Sequence, residues 1–263
     1  MSTATNVLLV GNPGAGKSFL LNSLGGTFLS GFSTVRGLTR ESTFCDVNIG
    51  GSNVRLWDVP GLIEVKDKDI AHNAKEITNA LRASGVFKLI FVLAQTGGRV
   101  RREDLYMVGE VMAAIEYSID VGLIINKVPL DHWEQYHVNK NIDLLLHEYN
   151  SVARGKIKPE WFMPILDCRE NNSRGPRIQM IELLGRMTAQ AIPKVKPVKA
   201  KIKYLDFFLT FIENVGEIVG DLWAQFRQAY RNHKFRFFRL GKKQTTNPTS
   251  HELSTYKVEH TTT

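Results

Sequence analysis

The chain has 263 residues, 43% hydrophobic and 23% charged, which is enough apolar surface to bury a core and excludes global disorder. Its two cysteines, Cys45 and Cys168, exclude a disulfide scaffold and fit a reducing compartment, and no apolar run approaches the roughly 20 residues of a membrane span. The net charge of +8 is uneven: residues 194–263 carry 13 Lys+Arg against 6 Asp+Glu, leaving 21 against 20 before them, so a neutral body precedes a basic attachment segment.

In chain order, residues 7–10 form a short buried strand that runs into a glycine-rich turn. Residues 18–24 are helical and stop at Gly25-Gly26; residues 25–42, rich in Gly, Ser and Thr, form a long loop. Residues 43–49 and 54–57 are strands joined by the turn Gly50-Gly51-Ser52-Asn53, and 59–68 is a mobile, charged loop. Residues 70–81, 102–115, 131–149 and 178–191 are helical. Residues 87–94, 121–125 and 162–166 are strands, the first two almost wholly apolar, as strands covered on both faces must be. Strands alternating with helices give an α/β fold in three layers, with a mostly parallel sheet and one antiparallel edge strand from the 43–57 hairpin.

Gly11-Asn12-Pro13-Gly14-Ala15-Gly16-Lys17-Ser18 matches G-x-x-x-x-G-K-[ST] between a strand and a helix. In such a loop backbone N–H groups cradle phosphates, Lys17 reaches the β- and γ-phosphates, and Ser18 offers a hydroxyl to Mg²⁺. A metal-dependent nucleotidase needs a carboxylate at a neighbouring strand end. Asp58 in Asp58-Val59-Pro60-Gly61 supplies it, and the Gly61 N–H is placed to sense the γ-phosphate. In the loop between, Thr39 is the candidate second hydroxyl for the metal, with Ser33, Thr34, Ser42 and Thr43 as competitors.

Asn126-Lys127 at the end of the 121–125 strand resembles the N-K-x-D guanine motif of translation-factor-related GTPases. The ordered set resembles a P-loop GTPase G domain over about residues 5–192. The segment Gly97-Gly98-Arg99-Val100-Arg101-Arg102-Glu103-Asp104-Leu105 resembles a box of immunity-associated (GIMAP-type) GTPases, to which septins and chloroplast-import GTPases are related. The resemblance implies Mg²⁺-dependent GTP hydrolysis with nucleotide-controlled switch loops. It implies phosphate and nucleotide contacts from residues 11–18, Asp58, Gly61, Asn126 and Lys127, with catalytic roles for Lys17, Thr39 and Gly61 and metal ligation by Ser18, Thr39 and Asp58.

Two positions depart from the pattern. Pro129 stands where the guanine-reading Asp belongs, leaving that role to backbone groups or to a shifted carboxylate such as Asp131. Leu62 follows Gly61 where Ras-like enzymes carry a water-orienting glutamine, so intrinsic hydrolysis should be slow without dimerisation or a partner. Arg99, Arg101 and Arg102 are candidates to act across such an interface. The last base-contacting loop is expected at 167–171, through Asn171 or backbone N–H groups.

After a G domain over 1–192, a Lys/Pro linker spans 193–204. Within the basic segment 205–243, Leu205, Phe208, Ile212, Val215, Val219, Leu222, Phe226 and Ala229 form a heptad-like helical seam. That helix packs on the G domain, binds a second copy or partner, or lies on an anionic membrane. The threonine-rich tail 244–263 is expected to be disordered. Expected partners are GTP and GDP, with a homodimer through the G domain or the helix, peripheral membrane contact, and no nucleic acid; the expected location is cytoplasmic. A nucleotide-gated assembly module with negligible turnover is the competing reading.

Overall fold

The first strand, β1 (Thr5–Val10), sets the layers: Val7 and Leu9 enter one hydrophobic cluster, Leu8 and Val10 the other, and all four are buried. The computed structural model describes residues 5–31, 38–63, 67–94, 101–137, 139–167 and 176–199. The chain divides into two compact units, 1–201 and 202–263, and every described residue lies in the first. The helix expected at 205–243 and the tail 244–263 lie outside the described residues.

After β1 come α1 (Lys17–Ser23), β2 (Thr43–Ile49), β3 (Ser52–Asp58), α2 (Asp67–Leu81), β4 (Val86–Ala94) and α3 (Arg102–Ala114). Then follow β5 (Val121–Val128), α4 (Leu130–Trp133), α5 (Asn139–Ala153), β6 (Ile157–Leu166), α6 (Arg177–Arg186) and β7 (Gln190–Ala191). The sheet order is β2-β3-β1-β4-β5-β6, parallel except for the edge strand β2. One face carries α2, α3 and α5 over Leu8, Phe87, Leu89, Phe91 and Leu123; the other carries α1 and α6 over Leu9, Ile90, Val92 and Ile124. The β2–β3 hairpin turns at Gly50 and Gly51, whose φ values of 58° and 84° suit a tight turn that matches strand twist.

Four expectations are corrected. The helix expected at 131–149 is broken: α4 passes into a 3₁₀ turn, Glu134–His137, before α5. The helix expected at 178–191 ends at Arg186, and β7 instead pairs antiparallel with Val86 and Phe87, the end of β4 that β5 leaves uncovered. The loop after β3 is packed where it is described: Val59 and Leu62 are fully buried. Residues 193–199 are extended but docked, with Val195 and Val198 in the core beside Ile192. Their backbone is held by Lys196 N–H to Ala114 O (2.8 Å), Val198 N–H to the Thr78 hydroxyl (2.9 Å) and the Arg82 guanidinium on Val195 O. Of the linker's lysines, Lys194 and Lys196 pair with Glu116, whose carboxyl they hold below its usual value.

Asn6 shows how little slack the sheet has. Fully buried, it donates to Ser84 O (3.0 Å) and Val86 O (3.3 Å) and accepts from the Trp57 indole N–H (2.9 Å), tying β1 to the start of β4 and to β3. Asn6→Ala leaves that indole and two carbonyls without their partner. It should cost about 3 kcal/mol of unfolding free energy, read as a lower urea midpoint at unchanged slope.

Candidate nucleotide-binding site

The 11–18 loop leaves the carboxyl end of β1 between β3 and β4, where chain connections diverge to opposite sides and an open α/β sheet offers its crevice. Close approach explains two glycines. A Cβ on Gly11 would stand 2.1 Å from Val92 O; one on Gly16, at φ +92°, would stand 2.4 Å from Asn126 Nδ2. Lys17 is buried and folds back over the loop, donating to Gly11 O (3.0 Å) and reaching Asn12 O (3.5 Å).

Three oxygen-bearing side chains from three segments converge beside it. Ser18 Oγ donates to Asp58 Oδ2 (2.7 Å), Thr39 Oγ1 donates to the same oxygen (2.9 Å), and the two hydroxyls are 3.4 Å apart. Asp58 Oδ1 is buried without a hydrogen-bond partner. Burial pushes the Asp58 carboxyl above its ordinary value, against the Ser18 hydroxyl, the Lys17 ammonium and the Thr39 hydroxyl. An orphaned carboxylate oxygen among hard oxygen donors fits a small divalent cation. No cluster of three or more His, Cys, Asp or Glu occurs among the described residues.

Of the competing hydroxyls, Ser42 is engaged elsewhere. Its N–H and Oγ both donate to Glu76 Oε2 at 2.7 Å; burial opposes ionisation there, but these bonds hold the Glu76 carboxyl below its usual value. Thr43 is exposed, facing Asp58 only through the strand ladder. Ser33 and Thr34 lie outside the described residues.

Gly61 is packed so tightly on the loop that a Cβ would fall 2.3 Å from Pro13 Cδ, and its carbonyl accepts from Asn73 Nδ2 of α2 at 2.6 Å. Leu62 is fully buried, so its side chain points into the core and not toward any reacting group. Asn12, also buried, donates through Nδ2 to Asp104 (2.8 Å) and accepts the Ile63 N–H (3.4 Å).

On the base side, Asn126 and Lys127 lie within β5, not beyond it. Asn126 Nδ2 donates to Ala15 O (2.8 Å) and Lys127 Nζ to Gly14 O (2.7 Å), the latter from a left-handed backbone at φ 59°. The pair thus braces the phosphate loop from the neighbouring strand. Pro129 caps α4, and the Asp131 side chain is exposed beside His132. Asp167 is the buried carboxylate at the end of β6, its N–H on Val128 O at 2.8 Å. Cys168 to Asn171 and Arg99 lie outside the described residues; Arg101 is paired with Asp104, and Arg102 is exposed. Asp104, Asn73 and Glu76 join the site through contacts far apart in sequence, which no local motif displays.

The sheet order and the helices on both faces match a P-loop GTPase fold. Residues 6–127 match the family described as 50S ribosome-binding GTPase. Among curated relatives, the tRNA modification GTPase MnmE of Agrobacterium fabrum is 43% identical over 61 residues, 23% of this chain and 14% of that protein. GTPase Der of Synechocystis is 29% identical over 140 residues, 53% of this chain and 30% of that one. The chain therefore spans less than a third of these relatives' length. Among solved structures, a dimerisation-deficient mutant of Toc33 from Arabidopsis thaliana has a TM-score of 0.53 at 16% identity, covering 73% of this chain and 88% of that one. Era in complex with MgGDPNP and a 16S ribosomal RNA fragment has a TM-score of 0.51 at 21% identity, covering 77% and 61%. These relatives support the broader GTPase class; among them Toc33 is of the chloroplast-import kind, and none is an immunity-associated GTPase or a septin.

Asp58→Asn should separate folding from ligation. Because burial raises its carboxyl, the folded apoprotein holds this proton more tightly than the unfolded chain. Asp58 therefore costs stability as pH rises through the carboxylate range and up to the raised value. The variant should melt at a higher temperature than wild type at pH 7 without divalent cation, with the gain shrinking at low pH. It should lose the rise in nucleotide affinity on adding Mg²⁺, followed by calorimetric titration.

Proposed function

We propose that this protein is a Mg²⁺-dependent, guanine-nucleotide-binding switch that hydrolyses GTP slowly alone and faster when a second subunit covers the nucleotide face. The observation that carries it is the convergence of Ser18, Thr39 and Asp58 beside the buried Lys17, with Asp58 Oδ1 left without a partner. Ser18, Thr39 and Asp58 would hold Mg²⁺, which supplies positive charge against the phosphate oxygens. Lys17 and the loop N–H groups bind the phosphate chain. Gly61, fixed between Pro13 and Asn73, presents its N–H toward a γ-phosphate. Thr39, joined to the site by its side chain, brings the preceding loop under nucleotide control.

The buried Leu62 supports slow intrinsic turnover, since no side chain at that position reaches an attacking water. Dimerisation is described as important for the GTPase activity of the chloroplast translocon components atToc33 and psToc159, the former close to this chain in fold. That supports pairing as the route to activity here; Arg102, exposed at the start of α3, is the described candidate to reach a partner's nucleotide. Within the GTPases, the Gly97–Leu105 box favours the immunity-associated and septin-like branch, and the presence of only two cysteines favours a reducing compartment such as the cytoplasm. The RNA in the Era complex is Era's ligand; the near-neutral charge of residues 1–193 supports a chain that does not need nucleic acid. A nucleotide-gated assembly module with negligible turnover is the second reading, favoured by Leu62.

Single-turnover hydrolysis across a range of protein concentrations tests both. Specific activity should rise with concentration when GTP is bound. A chain ending at Lys201, which retains the docked 192–199 segment, keeps that rise if pairing is through the G domain and loses it if through residues 205–243. A flat curve with a monomeric GTP-bound species by light scattering rejects pairing, and no turnover at any concentration leaves the assembly reading.

Base selectivity yields a separate outcome. With Pro129 in place of the usual Asp, GTP and ATP should be separated less sharply than the family pattern implies. Pro129→Asp should widen GTP-over-ATP discrimination about tenfold, the scale of one hydrogen bond to a charged group. High selectivity in the wild type, unchanged in the variant, would assign guanine reading to another carboxylate, of which Asp167 is the buried one.

A further inference from the structure

The structure assigns to Asp104 a positioning role in nucleotide-state sensing: it fixes the orientation of the Asn12 carboxamide and, through it, the Ile63 N–H behind Gly61. The assignment rests on the GTPase reading above. Asp104 lies in the first turn of α3, 92 residues from Asn12, and is only 2% exposed. A carboxylate at that depth is tolerated ionised when it is paired and hydrogen-bonded. Arg101 supplies the pairing, with Nε to Oδ2 at 3.0 Å and Nη2 to Oδ1 at 3.3 Å.

An ionised carboxylate only accepts hydrogen bonds. The Asn12 amide nitrogen must therefore face Asp104, at 2.8 Å, and the amide oxygen must face the other way, where it meets the Ile63 N–H at 3.4 Å. A neutral residue at 104 that can donate removes this bias. Asn12 can then flip and set its NH₂ against the Ile63 N–H, donor against donor. Among the described residues, two side chains tether the 61–63 segment, Asn73 on Gly61 O and Asn12 on the Ile63 N–H. Only the Asn12 tether comes from the phosphate loop itself, so it ties the loop that holds the phosphates to the segment that must recognise a γ-phosphate. This network also employs Arg101, one of the arginines expected to act across an interface, inside its own subunit.

The test uses the full chain and compares GDP with the non-hydrolysable triphosphate GMPPNP by calorimetric titration, alongside single-turnover GTP hydrolysis. In Asp104→Asn, GDP affinity should stay within about threefold, while GMPPNP affinity and the hydrolysis rate each fall about tenfold, as expected for one charge-assisted hydrogen bond. Asn12→Ala should give the same triphosphate-selective loss, and the double variant no more than either single one, because both break one linkage. Equal losses for GDP and GMPPNP, or additive losses in the double variant, overturn the assignment and leave Asp104 a staple between α3 and the loop. If Asp104→Asn does not fold, Asn12→Ala decides alone, since it keeps the Arg101–Asp104 pair. Wild-type GMPPNP affinity and hydrolysis in that variant overturn the assignment while the GTPase reading stands. A wild-type chain that binds neither nucleotide overturns both.

Discussion

A carboxylate buried at the end of β3 organises the nucleotide face. Asp58 pairs through the backbone with Leu9 on one side and Thr43 on the other, so its side chain has almost no freedom to find water. A charge in that position needs partners. One oxygen takes two hydroxyls, Ser18 from the start of α1 and Thr39 from the loop before β2, and the other takes none among the described residues. The same group therefore joins the phosphate loop to the segment that carries Thr39 and keeps an open valence toward whatever occupies the crevice.

Around that charge, the loops are held mainly by buried amides. Asn126 holds Ala15, Asn73 holds Gly61, and Asn12 links Ile63 to Asp104. A carboxamide is neutral, so burying it costs far less than burying an ion once both its ends are bonded, and it presents a donor and an acceptor in opposite directions. Glycine at 11, 16 and 61 lets the segments come close enough for these short side chains to reach, since a single Cβ at any of them would collide with a neighbour. The arrangement leaves the backbone N–H groups of the loop in place before a nucleotide arrives, so less reorganisation is needed to bind it.

The parts of this legible in the sequence were those written locally. The strand-loop-helix grammar of residues 5–24, the hairpin at Gly50-Gly51 and the bare apolar strands at 87–94 and 121–125 each carry their own periodicity or turn chemistry. Ser18, Thr39 and Asp58 were recognisable because their spacing belongs to a motif, though choosing Thr39 over its neighbours took the tertiary contact with Asp58. What could not be read is relational. Residues 193–199 look like a Lys/Pro linker because the pattern shows the lysines, not the groove between α2 and the end of α3 that receives Val195 and Val198. Asn126 reads as a base contact from Lys127 beside it, and no local pattern displays the further bond it makes to Ala15 O of the phosphate loop. The break after Trp133 has no Gly or Pro to announce it, whereas Gly185, one residue before the end of α6, is a stop signal inside the helix expected at 178–191.

Leu62 brings the fold and the chemistry into direct opposition. Its side chain is in the core with Val59, and that burial helps hold the 59–63 segment against the sheet, which in turn keeps Gly61 against Pro13. A polar, water-orienting side chain at the same position would have to leave that core, forfeiting the apolar contact that fixes the backbone sensor, or be buried with its amide unsatisfied. On the proposed function, the position favours a rigid γ-phosphate sensor over a built-in guide for water. Because phosphoryl transfer depends on positioning and charge stabilisation, a chain arranged this way can hold its triphosphate well and still turn it over slowly. On the proposed function, the missing orientation would come from outside this segment, and a surface that covers the nucleotide would supply it by excluding bulk water and adding a fixed donor or base.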